Sequence, residues 1–329
     1  MIIFSALFAY SVLAQEVLTE GPSTEQRSRL PVYVSLNSNI NDFGRFADGG
    51  PDENWYIGFN NAWIVALPPA PIGEYSRAFI GAKIGRAKTR AKPGGRPWER
   101  EVIPGKIYMA IAPTPSFSAE RSYFLTETAD IPLEDDPHVY MPGTGHAEWF
   151  WTEVPAGMIS FSGPNYLIVW STTRYFVGSS SAPILAALEE RSNASEEPRA
   201  WNNRSLGGVA PRRAEGTLET PLNNFKPALA MKLVPPNDAT VAVRECAAAP
   251  AGADFVYRFT ADGDGIEAAW LESSTDQLDW ERLSAYRREP PFLMTVPRSK
   301  LSSRGAWVRA VARDQLHNEG HCDGVWMAP

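Results

Sequence analysis

Four acidic side chains crowd one polar stretch: Asp42, Asp48, Asp52 and Glu53 all fall within residues 37–53, among Asn and Gly. Carboxylates are the hard oxygen donors that Ca2+ takes, so the stretch is a candidate holder of a structural calcium, although its spacing is not that of an EF-hand loop. A solvated acidic loop has the same composition. Trp55, Trp98, Trp149, Trp151 and Trp201 are candidates for a different chemistry, the stacking of an indole on the apolar face of a sugar ring. Trp55, Trp98 and Trp201 sit in or beside polar segments, as an open platform requires. Trp149 and Trp151 alternate with Phe150 and share one face of a strand, which suits a core position equally well. Lys83, Arg86, Lys88, Arg90, Lys92, Arg96, Arg100 and Lys106, opposed by Glu99 and Glu101, form a basic run. It fits either contact with an acidic polysaccharide or the solvated flank of a long hairpin.

Catalytic signatures are sparse. The chain has no Gly-x-Ser-x-Gly elbow and no His-Glu-x-x-His pair. A zinc site would have to draw on His138 and His146 with Asp136 or Glu148, a set without diagnostic spacing. Glu148 and Glu153 fall on opposite faces of a regular strand, whereas a retaining glycosidase holds two carboxyls about 5 Å apart. The expectation is a protein with no catalytic residues. Cys246 and Cys322 are the two cysteines, and in an exported chain they read as a disulfide. Closing a loop of that size stabilises by about 4 kcal/mol in the chain-entropy picture. Asn193-Ala194-Ser195 and Asn203-Arg204-Ser205 match the glycosylation sequon, which matters in a eukaryotic secretory route.

The elements that must position these residues are short. The 329 residues include 28 Pro and 25 Gly spread along the whole length, with 11 Trp, 11 Tyr and 15 Phe, and the net charge is −7. Many short pleated segments joined by turns explain this better than long helices, and the acidic balance gives no pull toward nucleic acid. Residues 1–14 read as an export signal, apolar from Ile2 to Leu13 with a small-residue site at Ala14, followed by a flexible leader over 15–30. No later run is long enough to cross a membrane as a helix.

Strands are predicted at 32–36, 55–59, 62–67, 75–84, 106–112, 147–154, 166–171 and 228–234. The run at 166–171, apolar on both faces, should lie deep in a sandwich. Residues 185–191 read as a short helix and 192–221 as a polar surface excursion. Val234-Pro235-Pro236-Asn237-Asp238 marks a boundary, with a linker at 235–238 between domains at 31–234 and 239–329. In the second domain six short strands are predicted, at 240–245, 255–261, 266–273, 280–283, 292–297 and 305–313, with a turn at Asp262-Gly263-Asp264-Gly265.

Two resemblances follow. Ala269-Trp270-Leu271-Glu272-Ser273-Ser274-Thr275-Asp276 with Trp280, and Ala306-Trp307-Val308-Arg309-Ala310-Val311-Ala312-Arg313-Asp314 with His317-Asn318-Glu319-Gly320, resemble bacterial immunoglobulin-like and fibronectin type III modules. Gly49-Gly50-Pro51-Asp52-Glu53-Asn54-Trp55 and Asn165-Tyr166-Leu167-Ile168-Val169-Trp170 resemble galactose-binding-like jelly-roll surface modules. That resemblance implies sugar binding at a loop end and, in several such modules, a structural calcium. The fold expected is all-β: a jelly-roll-like sandwich followed by an Ig/FnIII-like sandwich. The function expected is a secreted or cell-surface, non-catalytic protein that binds carbohydrate or another surface polymer. Two alternatives stay open: a self-assembling subunit of a surface layer, filament or adhesin, and a polysaccharide-active enzyme with an unrecognised carboxylate pair.

Overall fold

The structure is a computed structural model that describes residues 30–44, 46, 56–115, 121–134, 146–189, 197–204, 220–222 and 224–328. The expectations for the export signal and most of the leader, and for Trp55, Asp48, Asp52, Glu53, Asp136, His138 and Asn193, lie outside the described residues. The fold is all-β, and two pairs of antiparallel sheets form two sandwiches.

In the first sandwich, Leu229–Val234 lies between Val32–Ser35 and Arg77–Gly85. Ala147–Val154 runs along the other edge of Arg77–Gly85, and Ile184–Leu185 pairs with its end at Gly85 and Ile84. The facing sheet has six strands in the order Thr220–Pro221, Ala200–Arg204, Asn61–Leu67, Asn165–Ser171, Lys106–Ala112, Tyr123–Glu127. Period-two alternation decides what meets between them. Ile80, Ala82, Phe150, Met231 and Leu233 from one sheet pack on Trp63, Val65, Ile107, Met109, Leu167 and Val169 from the other. Asn165–Ser171 is almost wholly buried, as its two-sided apolar pattern requires.

Several local readings are corrected. Residues 184–189 form two short strands, Ile184–Leu185 and Ala187–Glu189, and not a helix. An apolar run this short has no period of its own, and pairing with Arg77–Gly85 and Phe225–Pro227 settles it. The supposed surface excursion contains Ala200–Arg204, an inner strand of the six-stranded sheet. Asn202 finds its partner within the sheet: its Nδ2 donates to Asn61 Oδ1 at 2.6 Å, and the Asn61 amide donates to Tyr56 O at 2.7 Å. Tyr56 makes only an isolated bridge with Ile184, so no strand forms at 56–59. The basic connection folds back as a hairpin, Thr89–Ala91 on Arg100–Val102.

The second sandwich pairs a three-stranded sheet, Ala242–Ala251, Asp254–Asp262 and Phe292–Pro297, with a five-stranded one. The latter orders Glu281–Arg282, Ile266–Ser274 and Ala306–Asp314, and both Glu319–His321 and Val325–Met327 pair with Ala306–Asp314. Phe255, Tyr257, Phe259, Leu271, Met294, Val308 and Ala310 fill the space between. The register slips between Arg244 and Ala247, where Glu245 has φ 56°. This bulge carries Cys246, which is disulfide-bonded to Cys322 beside the edge of the opposite sheet.

The two sandwiches meet on the outer face of the five-stranded sheet of the first. Phe79, Trp151, Ala230 and Val234 there form one buried cluster with Leu316 of the second. Lys232, 1% exposed, passes its ammonium beside the rings of Tyr33 and Trp151 and meets Glu267 Oε2 at 3.1 Å. His317 stacks on Phe79 with ring centroids 3.7 Å apart, and its carbonyl accepts from Arg77 Nη1 at 2.7 Å. Farther along, Arg288 lies over Phe150 and 3.5 Å from Glu148, and Arg282 reaches Glu127 and Asp130.

Candidate functional site

The tryptophans divide by exposure. Trp98 is 71% exposed at the tip of the basic hairpin, with the Arg96 guanidinium over its ring at 5.7 Å. Trp151 is buried: Trp149 stacks on it at 5.1 Å, Tyr33 packs beside it, and Lys232 lies over its ring. It serves the junction between the sandwiches and offers no open platform. Trp149 is half-buried, edge-on to Phe43, with its N–H donating to Ile40 O. Trp201 is half-buried on the outer face of the six-stranded sheet, beside Ile64, Ile168 and Trp170. The sequence reading passed over Trp326, an exposed ring edge-on to Trp307 on the second sandwich. The cross-strand register of these two is the only signal of it, and that register needs the fold.

Of the four acidic candidates, Asp42 alone lies among the described residues. Asp42 ends a short 3-10 turn, Ile40–Asp42, and its carboxylate accepts from the side-chain amides of Asn37 at 2.7 Å and Asn39 at 2.9 Å. Among the described residues no group of three His, Cys, Asp or Glu is placed to hold a metal ion. His146 faces Glu148 at 2.6 Å. Burial works against the Glu148 carboxylate, but His146, Arg288 and Lys83 together outweigh it and hold its pKa below the ordinary value. Glu153 is clamped by Arg77 through two hydrogen bonds, at 2.9 and 2.6 Å. Each carboxylate is thus tied to its own cation. Asn203, the sequon asparagine that is described, is buried, where no glycan could be attached.

A pocket of about 390 Å3 opens at one end of the six-stranded sheet. Its wall comes from three neighbouring strands: Lys106 begins one, Glu127 ends the next, and Thr172 and Thr173 follow the third. Lys106 and Glu127 are directly opposite in register. Thr128 Oγ1 donates to Ile103 O at 2.7 Å and accepts from Gly105 N at 2.9 Å, closing the turn. Thr173 Oγ1 accepts from Lys106 N at 3.0 Å, which leaves its hydroxyl proton free to donate. Gly105 is required there, because a Cβ would fall 2.2 Å from the buried Phe176 ring. Among the described residues the Lys106 ammonium has no partner, while one Glu127 oxygen accepts from Arg282 at 2.8 Å. The pocket therefore offers hydroxyls, one ammonium and one carboxylate around a partly apolar floor. Mixed donors and acceptors with paired charges are the surface that a neutral, hydroxyl-rich molecule requires.

No single stretch of sequence announces this site. Its residues are separated by up to 71 positions and meet only because Lys106–Ala112 lies between Tyr123–Glu127 and Asn165–Ser171.

The fold and site define an all-β, two-sandwich protein with a polar pocket at a sheet end. No family model matches the chain, and no curated protein matches it either. Among solved structures it overlaps a β-D-glucuronidase from Dictyoglomus thermophilum at 8% identity and TM-score 0.23, covering 87% of this chain and 39% of that one. It overlaps a Ruminococcus gnavus β-glucuronidase with uronic isofagomine at 8% identity and TM-score 0.26, covering 91% and 44%. The chain thus spans less than half the length of these enzymes. Superposition this loose identifies neither a shared activity nor a shared substrate.

Proposed function

We propose that this chain is a non-catalytic binding protein whose first sandwich takes carbohydrate, or another hydroxyl-rich surface polymer, in the pocket at the sheet end. The observation that carries the reading is the pocket's lining: Lys106, Glu127, Thr172 and Thr173 present donors and acceptors at a loop end of suitable volume for a small polar ligand. Export belongs to the same proposal, supported by the apolar N-terminal run and by the Cys246–Cys322 disulfide, which suits an oxidising compartment. The domain division at 31–234 and 239–329 is supported by two separate hydrophobic cores. A jelly-roll-like reading of the first unit is supported by its two facing antiparallel sheets. An Ig/FnIII-like reading of the second is supported by a sheet of its first, second and fifth strands against one of its third, fourth and later strands.

The test is a glycan array probed with the mature protein, with and without calcium, alongside Lys106→Ala and Thr172→Val. Binding that both substitutions weaken supports the pocket. Binding that calcium removal abolishes and the substitutions spare moves the site to the acidic loop. Self-assembly is the second reading, favoured by Phe124, which stands exposed beside Tyr108 on the outer face of the six-stranded sheet. Sedimentation of the wild type beside Phe124→Ser distinguishes it: a concentration-dependent oligomer that Phe124→Ser dissolves, with no glycan bound, replaces the carbohydrate reading.

A further inference from the structure

The pocket belongs to the first sandwich, yet one of its walls is held by the second. Glu127, Thr128 and Ala129 line it, and the last two open the 3-10 turn Thr128–Asp130. Within its own sandwich this turn is tied down by Thr128 N–H donating to Gly105 O at 3.0 Å and by Ile131 N–H donating to Thr128 O at 3.2 Å. From outside, Arg282 of the edge strand Glu281–Arg282 reaches across. Its Nη1 meets Asp130 Oδ2 at 2.7 Å and its Nη2 meets Glu127 Oε1 at 2.8 Å, so one planar fork spans both ends of the turn.

The fork is itself fixed. Its guanidinium lies 4.7 Å over the Tyr286 ring, and Tyr286 packs edge-on against Trp270 with centroids 5.3 Å apart. Arg313 lies over both of those rings, at 5.7 and 5.8 Å. A guanidinium held on a rigid aromatic face transmits displacement of its sandwich to whatever it grips. The Asp130 side chain is 1% exposed, so letting go strands a carboxylate in a poorly solvated place.

We infer that Arg282 is a positioning residue for the pocket, through which docking of the second sandwich sets the geometry of the Glu127–Asp130 wall and hence ligand affinity. The affinity half of this inference rests on the carbohydrate reading above; the wall-holding half does not. Linkage makes the effect reciprocal: a ligand that needs the wall in place also tightens the contact between the sandwiches.

The experiment uses the full chain and three variants. Arg282→Met removes the fork and keeps an apolar stem over Tyr286. Arg282→Met with Asp130→Asn removes the stranded charge as well, so that a folded protein lacking the fork is available. Arg298→Met, which breaks a cation–aromatic contact with Phe255 of the three-stranded sheet, is the control on the sheet opposite the one that carries Arg282. Amide hydrogen exchange at Thr128 and Ile131 is read in each, together with the dissociation constant for the strongest array-positive glycan. The expected result is exchange about tenfold faster at both amides and affinity about tenfold weaker in the Arg282 variants, with Arg298→Met like wild type. Unchanged exchange in the double variant overturns the inference whatever the glycans do. Faster exchange with unchanged affinity overturns its ligand half. If no glycan binds wild type, the carbohydrate reading falls, and the exchange data still decide whether Arg282 holds the wall.

Discussion

Acid should loosen the junction between the sandwiches through one side chain, His317. Its ring is 4% exposed and stacked on Phe79, and its Nε2 makes no hydrogen bond among the described residues. Burial above all, and then the charges of Lys232, Arg313 and Arg77, push its pKa far below the ordinary 6.5. Glu267 is the opposing charge, 3.6 Å away, but it is already engaged by Lys232 at 3.1 Å. The docked state therefore holds the imidazole neutral, and an opened or unfolded state takes up a proton near 6.5. The sign follows from that inequality. The junction's stability is fully present above about pH 6.5 and falls as pH drops below it, by roughly 1.4 kcal/mol for each unit. At about pH 4.5, two units down, this one group should have removed about 2.7 kcal/mol.

The assay is urea unfolding of wild type and His317→Asn across that range. His317 has φ 63°, and Asn is among the residues that adopt the left-handed region most readily, so the turn survives the change. Asn lacks the stacked ring, so the variant starts less stable; the quantity read is the pH dependence of the difference. Subtraction cancels carboxylates that titrate alike in both proteins. The gap should narrow by about 2.7 kcal/mol between near-neutral pH and about pH 4.5. Parallel curves, with a gap constant to within about 0.5 kcal/mol, would refute a buried neutral imidazole at this junction.

Three further outcomes are expected. Lys232→Met should keep the packing against Tyr33 and Trp151 but leave Glu267 without its cation, costing about 2 to 4 kcal/mol; adding Glu267→Gln should recover much of that loss in the same urea series. Removing the disulfide by Cys246→Ser with Cys322→Ser frees a loop of sequence separation 76, worth about 4.5 kcal/mol in the chain-entropy picture, and a loss of unfolding free energy below about 1 kcal/mol would contradict that figure. Trp151→Ala should cost about 3 to 5 kcal/mol and Trp98→Ala less than about 0.5, since one ring is buried at the junction and the other stands in solvent; equal losses in thermal unfolding would contradict that placement.

Much of the strand pattern was legible because side chains alternate across a pleat. Lys106–Ala112, Ala147–Val154 and Phe292–Pro297 fall where their apolar periodicity places them. Alternation also puts Trp149 and Trp151 opposite Phe150, but it does not say which face meets the partner sheet. Phe150 enters the core of the first sandwich, and Trp151 goes to a second apolar layer completed by Leu316, some 165 residues later. Ala200–Arg204 was hidden for the opposite reason. Its residues look like loop because they are polar, and they become an inner strand through pairing with Asn61–Leu67 and a side-chain hydrogen bond from Asn202 to Asn61 that no local window contains.

The amino-acid sequence by itself determined the class of architecture and the pairing of its two cysteines. The first rests on composition and short-range periodicity, and the second on there being two cysteines to pair. Only the tertiary structure decided which chemistry comes together. Lys106, Glu127 and Thr173 form one pocket, and Arg282 grips its wall from the other sandwich, because strand order and domain docking bring distant residues within hydrogen-bonding range. Such contacts depend on sheet register and on the burial of whole faces, and no spacing along the chain encodes them.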